Sequence, residues 1–144
     1  MPAINVLIKP ASGNCNLHCK YCFYNDVIEN RKEKNYGIMS YEILEILVKK
    51  TFEYAENMVG FTFQGGEPTL AGLDFYKYLI ELQEKYNVKK IQVNNAIQTN
   101  GMIIDDEWAE FFSKNKFLVG ISLDGPKDIH DLNRININGI GSYK

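Results

Sequence analysis

The sequence predicts an α/β fold, about four parallel strands with covering helices, and three observations carry that prediction. Short β-branched or aromatic runs alternate with stretches of helical period, at about 30 residues per unit, the pattern of βαβ connections. Each run after the first closes on glycine, asparagine or aspartate turn chemistry. At 144 residues, 45% of them hydrophobic, the chain is of single-domain size and rich enough in apolar side chains to build a core.

Residues 6–9 form a short apolar run closed by Pro10 and read as the first strand, leading into a loop over residues 11–30 that holds all three cysteines. Ser40 is placed to N-cap a helix. Its apolar positions Leu44, Leu47, Val48, Phe52 and Ala55 lie on one face of a 3.6-residue period. Residues 59–63 form a second strand cut off by Gly65-Gly66, and Phe75, Leu79, Leu82 and Tyr86 then repeat at helical spacing.

Residues 91–98 read as a third strand ended by Asn100-Gly101. Asp105 or Asp106 caps a helix with Trp108, Phe111 and Phe112 on one side, and residues 117–123 are the fourth strand, ended by Asp124-Gly125. Residues 136–144 are rich in Asn and Gly and lack helical period, so the chain is expected to stop after a strand, as a truncated or split protein would. Periodicity leaves two topologies open, a doubly wound sheet and a sheet curved toward a barrel.

The formal charge of -2 arises from 16 basic and 18 acidic residues with no basic block, which argues against nucleic acid or a membrane surface as partner. No export signal and no long apolar run is visible, so a cytoplasmic protein is expected. Three cysteines within eight positions make a poor disulfide framework and point to metal or redox chemistry in a reducing compartment.

In parallel βα units the segments leaving the strands' C-terminal ends gather on one rim, where such folds place their sites. Four segments here are loaded: Cys15-Asn16-Leu17-His18-Cys19-Lys20-Tyr21-Cys22, Gln64-Gly65-Gly66-Glu67-Pro68, Gln98-Thr99-Asn100-Gly101, and Ser122-Leu123-Asp124-Gly125-Pro126. Thiolates are the soft ligands of iron–sulfur clusters, and a cubane normally takes four. Three cysteines, Cys15, Cys19 and Cys22, would leave one iron open for a substrate or cofactor, and S-adenosylmethionine is the expected occupant.

The C-x3-C-x2-C loop, with Tyr21 before the last cysteine, resembles the signature of the radical S-adenosylmethionine superfamily. Ile8-Lys9-Pro10, Phe63-Gln64-Gly65-Gly66-Glu67-Pro68-Thr69, Gln98-Thr99-Asn100-Gly101, and Ser122 to Pro126 with His130, Asp131 and Arg134 are similar to the anaerobic sulfatase-maturating enzymes, a resemblance that runs through essentially the whole chain. It implies the N-terminal portion of a partial (β/α)6 barrel over residues 1–144, with a [4Fe-4S] cluster and S-adenosylmethionine as cofactors. It also implies oxidation of a cysteine or serine in a sulfatase polypeptide to formylglycine, begun by reductive cleavage of the cofactor with electrons from a donor.

By the same resemblance Tyr21 lies near the adenine, Gly66 and Glu67 near the methionine amino group, and Ser122 and Arg134 near ribose hydroxyls or the carboxylate. Gln64, Gln98, Thr99 and Asn100 face the substrate. The base that takes the substrate proton and the auxiliary clusters are expected beyond Lys144, since Cys22 is the last cysteine. No catalytic residue is assigned within the chain.

Plainer readings stand beside these. The cysteines with His18 could form a Cys3His zinc site in an interaction domain, and Cys19-Lys20-Tyr21-Cys22 alone matches a C-x-x-C redox pair. Gly65-Gly66, Asn100-Gly101 and Asp124-Gly125 are each ordinary turn dipeptides, and Arg134 and His130 taken alone would be surface or structural residues. A non-catalytic remnant that keeps the loops is the remaining alternative.

Overall fold

A computed structural model describes residues 3–143. Met1, Pro2 and Lys144, the outer edges of the expected domain, lie outside the described residues. The chain runs β1 (Ile4–Ile8), α1 (Phe23–Glu29), α2 (Tyr41–Tyr54), β2 (Met58–Phe63), a 3-10 turn (Pro68–Ala71), α3 (Leu73–Tyr86), β3 (Gln92–Thr99), α4 (Asp106–Lys114), β4 (Leu118–Ile121) and α5 (Lys127–Asn133).

All neighbouring strands pair in parallel, in the order β1-β2-β3-β4. That sequential order resolves the topology left open above. A doubly wound sheet reverses its strand order at a switch point, whereas successive right-handed crossovers in one direction put every helix on the same face, as in barrels.

The register shows how the sequence sorts the two faces. Ile8, Phe63, Ile97 and Val119 form one cross-sheet row on the helix side, and Leu7, Thr62, Ala96 and Leu118 form the next row on the opposite face. On the helix side Val59, Phe61 and Phe63 are fully buried against Leu44, Val48 and Phe52 of α2 and Phe75, Tyr76 and Leu79 of α3. The ring of Tyr76 meets Trp108 of α4 edge-on at 5.5 Å, and its hydroxyl donates to the Pro68 carbonyl at 2.8 Å, tying the core to the rim. The opposite face carries small and polar residues, among them Asn5, Gly60, Asn94 and Gln98.

The expected caps form. Ser40 accepts from the Ile43 N–H at 3.3 Å, and of the two aspartates Asp105 is the cap, accepting from Trp108 at 3.0 Å. Two expectations are corrected. The cysteine loop is not irregular through residue 30, because α1 begins one residue after Cys22, and the chain does not stop after a strand, because α5 follows β4 and completes the fourth βα unit. Both helices have only 7 residues, too few turns for a 3.6-residue stripe to stand out.

Candidate functional site

The cysteine loop leaves β1 through a turn in which Ser12 and Asn14 donate backbone bonds to Lys9 and Ala11. It is then gripped from two sides. Glu67 N–H donates to the Asn14 carbonyl at 2.7 Å, while His18 and Lys20 donate to the carbonyls of Ile135 and Asn133 at 2.6 and 3.0 Å. Gly66, at φ 57°, lets the second loop approach this closely, since a Cβ there would overlap the Asn14 carbonyl.

All three cysteines are free thiols. Burial pushes the Cys15 thiol up, although the residue as a whole keeps solvent contact, and the Leu17 N–H opposes this by donating to its Sγ at 3.4 Å. Burial also raises Cys19, with the Arg134 guanidinium acting in the opposite sense.

Glu67 closes β2 onto β3. Its carboxylate is 1% exposed, and Oε1 accepts from Thr69 N (3.0 Å), Thr69 Oγ1 (2.6 Å) and Thr99 Oγ1 (2.8 Å), while Oε2 accepts from Asn100 N (2.7 Å). A buried carboxylate needs such donors to offset its lost hydration. The same bonds commit Thr99, at 2% exposure, to the interior. Asn100 donates from Nδ2 to Asn16 Oδ1 at 2.7 Å and accepts from Met102 N at 3.0 Å. Gln98 donates to Ser122 Oγ at 3.0 Å, joining the third and fourth loops.

The fourth loop carries an ion pair that the sequence did not single out. Arg134 Nε donates to Asp124 Oδ1 at 2.7 Å, and Tyr21 hydroxyl donates to both Asp124 oxygens, at 2.8 and 2.6 Å. The Arg134 guanidinium lies over the Tyr21 ring, 5.5 Å from its centroid. Partial burial and the Asp124 carboxylate push the Tyr21 hydroxyl up to about 12. Burial pulls Asp124 upward, and the bonds from Tyr21 and Arg134 outweigh it, leaving the carboxyl below its usual range.

Behind this pair, Asp124 N–H points to His130 Nδ1 at 3.4 Å, His130 Nε2 meets Ser142 Oγ at 3.0 Å, and Ser142 Oγ donates to the Arg134 carbonyl at 2.8 Å. With Nδ1 accepting, Nε2 is the protonated nitrogen of His130. Asp124 and Ser142 are the functional neighbours that sequence reasoning missed. Asp124 was within reach, as the one carboxylate of its loop, ten positions before Arg134; Ser142, in the Asn/Gly-rich tail, gave no signal.

A cavity of about 190 Å³ opens on the rim where these loops meet. Its wall includes Cys15, Cys19, Cys22 and Tyr21 from the first loop, Gln64, Gly66 and Glu67 from the second, Gln98, Thr99 and Asn100 from the third, and Ser122 and Arg134. The structure thus brings every residue assigned from the sequence to one cavity. The donor set suits an iron–sulfur cluster, with three free thiols lining one cavity and N–H groups aimed at Cys15. Among the described residues no three His, Cys, Asp or Glu side chains converge on a single-ion site, and His18 faces solvent.

Comparison with known proteins matches this geometry. Residues 10–143 fit the model of the Radical SAM superfamily. The cysteine-type anaerobic sulfatase-maturating enzyme of Clostridium perfringens is 54% identical over 143 residues, covering 99% of this chain and 39% of that enzyme. The serine-type enzyme of Bacteroides thetaiotaomicron is 42% identical, covering 96% of this chain and 33% of its own length. The solved structure of native anSMEcpe with bound AdoMet and Cp18Cys peptide superposes with a TM-score of 0.91 at 52% identity, over 99% of this chain and 37% of that one. The chain therefore spans well under half of these relatives. The superfamily works with a [4Fe-4S] cluster and S-adenosylmethionine, and this chain, with its C-x3-C-x2-C loop on the rim of a singly wound parallel sheet, belongs to it.

Proposed function

We propose that residues 1–144 form the radical S-adenosylmethionine core domain of an oxidoreductase that converts a cysteine of a sulfatase polypeptide to formylglycine. The observation that carries this reading is the convergence of four loops on one cavity, lined by three free thiols together with polar groups for a cofactor. The cysteine substrate is favoured over serine by the higher identity to cysteine-type relatives, 54% against 42%. A peptide substrate is in keeping with the bound peptide of the anSMEcpe structure.

In this reading Cys15, Cys19 and Cys22 hold the cluster. When bound, the cluster and S-adenosylmethionine supply the one-electron chemistry that starts hydrogen abstraction. Tyr21 offers an aromatic face to the adenine, Gly66 and Glu67 meet the methionine amino group, and Ser122 and Arg134 meet ribose hydroxyls and the carboxylate. Arg134 commits Nε to Asp124, and its Nη1 lies 4.0 Å from Cys19 Sγ, so the guanidinium stands beside the cysteine loop, where its remaining N–H groups can meet an anion.

Gln64 is the substrate contact of choice, with Gln98 beside it keeping one Nε2 hydrogen free of its bond to Ser122, because Thr99 is buried under Glu67 and Asn100 is bonded to Asn16 and Met102. The two described carboxylates of the rim are also committed, Glu67 to four donors and Asp124 to Tyr21 and Arg134, so the base is assigned to the rest of the complete protein. We place the protein in the reducing cytoplasm, where the thiols stay available as ligands, with an electron donor for the cluster as partner. No described helix is long and apolar enough to cross a membrane.

The test uses the complete reading frame that carries this chain, reconstituted anaerobically with iron and sulfide and given a strong reductant, S-adenosylmethionine and a sulfatase peptide bearing cysteine or serine. The expected products are 5'-deoxyadenosine and formylglycine, formed faster from the cysteine peptide and lost in Cys19→Ala. A colourless protein that binds zinc, or a cluster that yields no 5'-deoxyadenosine, overturns the reading.

A further inference from the structure

Asn100 is held at its backbone N–H and at both polar atoms of its side chain, and its amide orientation is thereby fixed. Its backbone N–H donates to Glu67 Oε2 at 2.7 Å, and its side-chain oxygen accepts from Met102 N–H at 3.0 Å. With the oxygen taken, the NH2 group must turn toward the cysteine loop. One of its hydrogens is used by Asn16 Oδ1 at 2.7 Å, and the nitrogen lies 3.7 Å from Cys15 Sγ, within range for a donor to sulfur. Cys15 Sγ also accepts from Leu17 N–H, at 3.4 Å.

We propose that Asn100 tunes the reduction potential of the cluster by donating a hydrogen bond to the Cys15 thiolate. The inference rests on the proposed reading that Cys15 ligates a cluster. One-electron reduction adds a negative charge that is shared by the coordinating sulfurs, so an N–H aimed at a sulfur stabilises the reduced state more than the oxidised one. Removing the donor makes reduction harder. Asn100 is then a positioning residue of the electron-accepting centre rather than a contact to the substrate peptide. Anchorage by Glu67 and Met102 gives the donor the rigid support that such tuning requires.

The experiment measures the midpoint potential of the reconstituted cluster in the complete protein, by EPR at a series of dithionite-poised potentials, for wild type, Asn100→Leu and Asn16→Ala. Asn100→Leu keeps the shape and loses the donor, and its potential is expected to shift to more negative values. Asn16→Ala removes the competing acceptor and leaves the Cys15 contact, so its potential is expected to match wild type. A wild-type potential in Asn100→Leu overturns the inference, as does an equal shift in Asn16→Ala, which would mean that loop geometry alone is responsible.

Should Asn100→Leu hold no cluster, protein carrying 15N in its asparagine side-chain amides decides the matter. A nitrogen coupling to the reduced cluster in pulsed EPR, retained in Asn16→Ala, supports the bond, and no coupling overturns it. Wild-type protein that assembles no cluster defeats the reading of the site as a whole. A cluster indifferent to Asn100 defeats this inference alone.

Discussion

Glu67 shows how one residue can serve the site without taking part in chemistry. Its carboxylate gathers two backbone N–H groups, from Thr69 and Asn100, and two threonine hydroxyls. Glutamine cannot replace it. Threonine hydroxyls can rotate to accept from an amide, but a backbone N–H cannot, so either orientation of a glutamine amide at this position sets its NH2 against the N–H of Thr69 or of Asn100. Glu67→Gln is therefore expected to lower unfolding stability by about 1–3 kcal/mol, the cost of an unsatisfied buried donor. Urea denaturation of the cluster-free protein measures it, and an unchanged midpoint would show that the rim re-forms without the second acceptor oxygen.

At the scale of elements, α2 and α3 are clasped outside the core as well as through it. Glu45 of α2 accepts from Lys85 at 2.7 Å, Tyr86 at 2.6 Å and Tyr78 at 3.2 Å, all on α3. The Lys85 ammonium first, and then the Tyr86 hydroxyl, bring its carboxyl down from 4.5 to about 2. A carboxyl depressed in the fold stabilises above its unfolded value and loses that contribution as pH falls through its folded one. The difference in urea midpoint between wild type and Glu45→Gln is thus expected to be constant above pH 4.5 and to shrink toward pH 2. A difference that stays flat over that window would remove the clasp from the stability of the helix pair.

These same elements show what could be read in advance. The Leu44, Val48, Phe52 stripe and the Ser40 and Asp105 caps are local patterns, set by neighbours within four positions, and they stand in the structure as expected. So do the four loaded loops, since parallel βα connectivity alone delivers them to one rim. The clasp on Glu45 joins positions 33, 40 and 41 apart, and Lys89, which caps the end of α2 through the carbonyls of Phe52, Glu53 and Ala55, is as remote. Neither leaves a periodic trace. The pairing of Asp124 with Arg134 and Tyr21 escaped for a related reason, because a charge pair across a glycine turn and a short helix has no fixed spacing to recognise.

For the whole molecule, the strand order sets where rigidity lies relative to the site. β2 and β3 each have two strand neighbours, and β2 carries Val59, Phe61 and Phe63 at 0% exposure. β4 pairs with β3 alone among the described strands, and its Leu118 and Ile121 are 75% and 60% exposed. Local opening free energies follow such burial, so in the 144-residue chain by itself backbone amides of β2 and β3 are expected to exchange with deuterium slowest and those of β4 sooner. The consequence for the site is an uneven rim. In this chain Gly66 and Glu67 follow the doubly paired β2, whereas Ser122, Asp124 and Arg134 follow the singly paired β4, where the Asp124 ion pair and the bond from Ser142 to the Arg134 carbonyl hold them. If S-adenosylmethionine bridges both sides, its addition to the reconstituted protein should slow exchange across residues 121–134 and leave β2 unchanged. Protection confined to β2, or none at all, would place the ligand off this rim, because a molecule bound to Ser122 and Arg134 must order them, and that ordering appears as protection that hydrogen exchange detects.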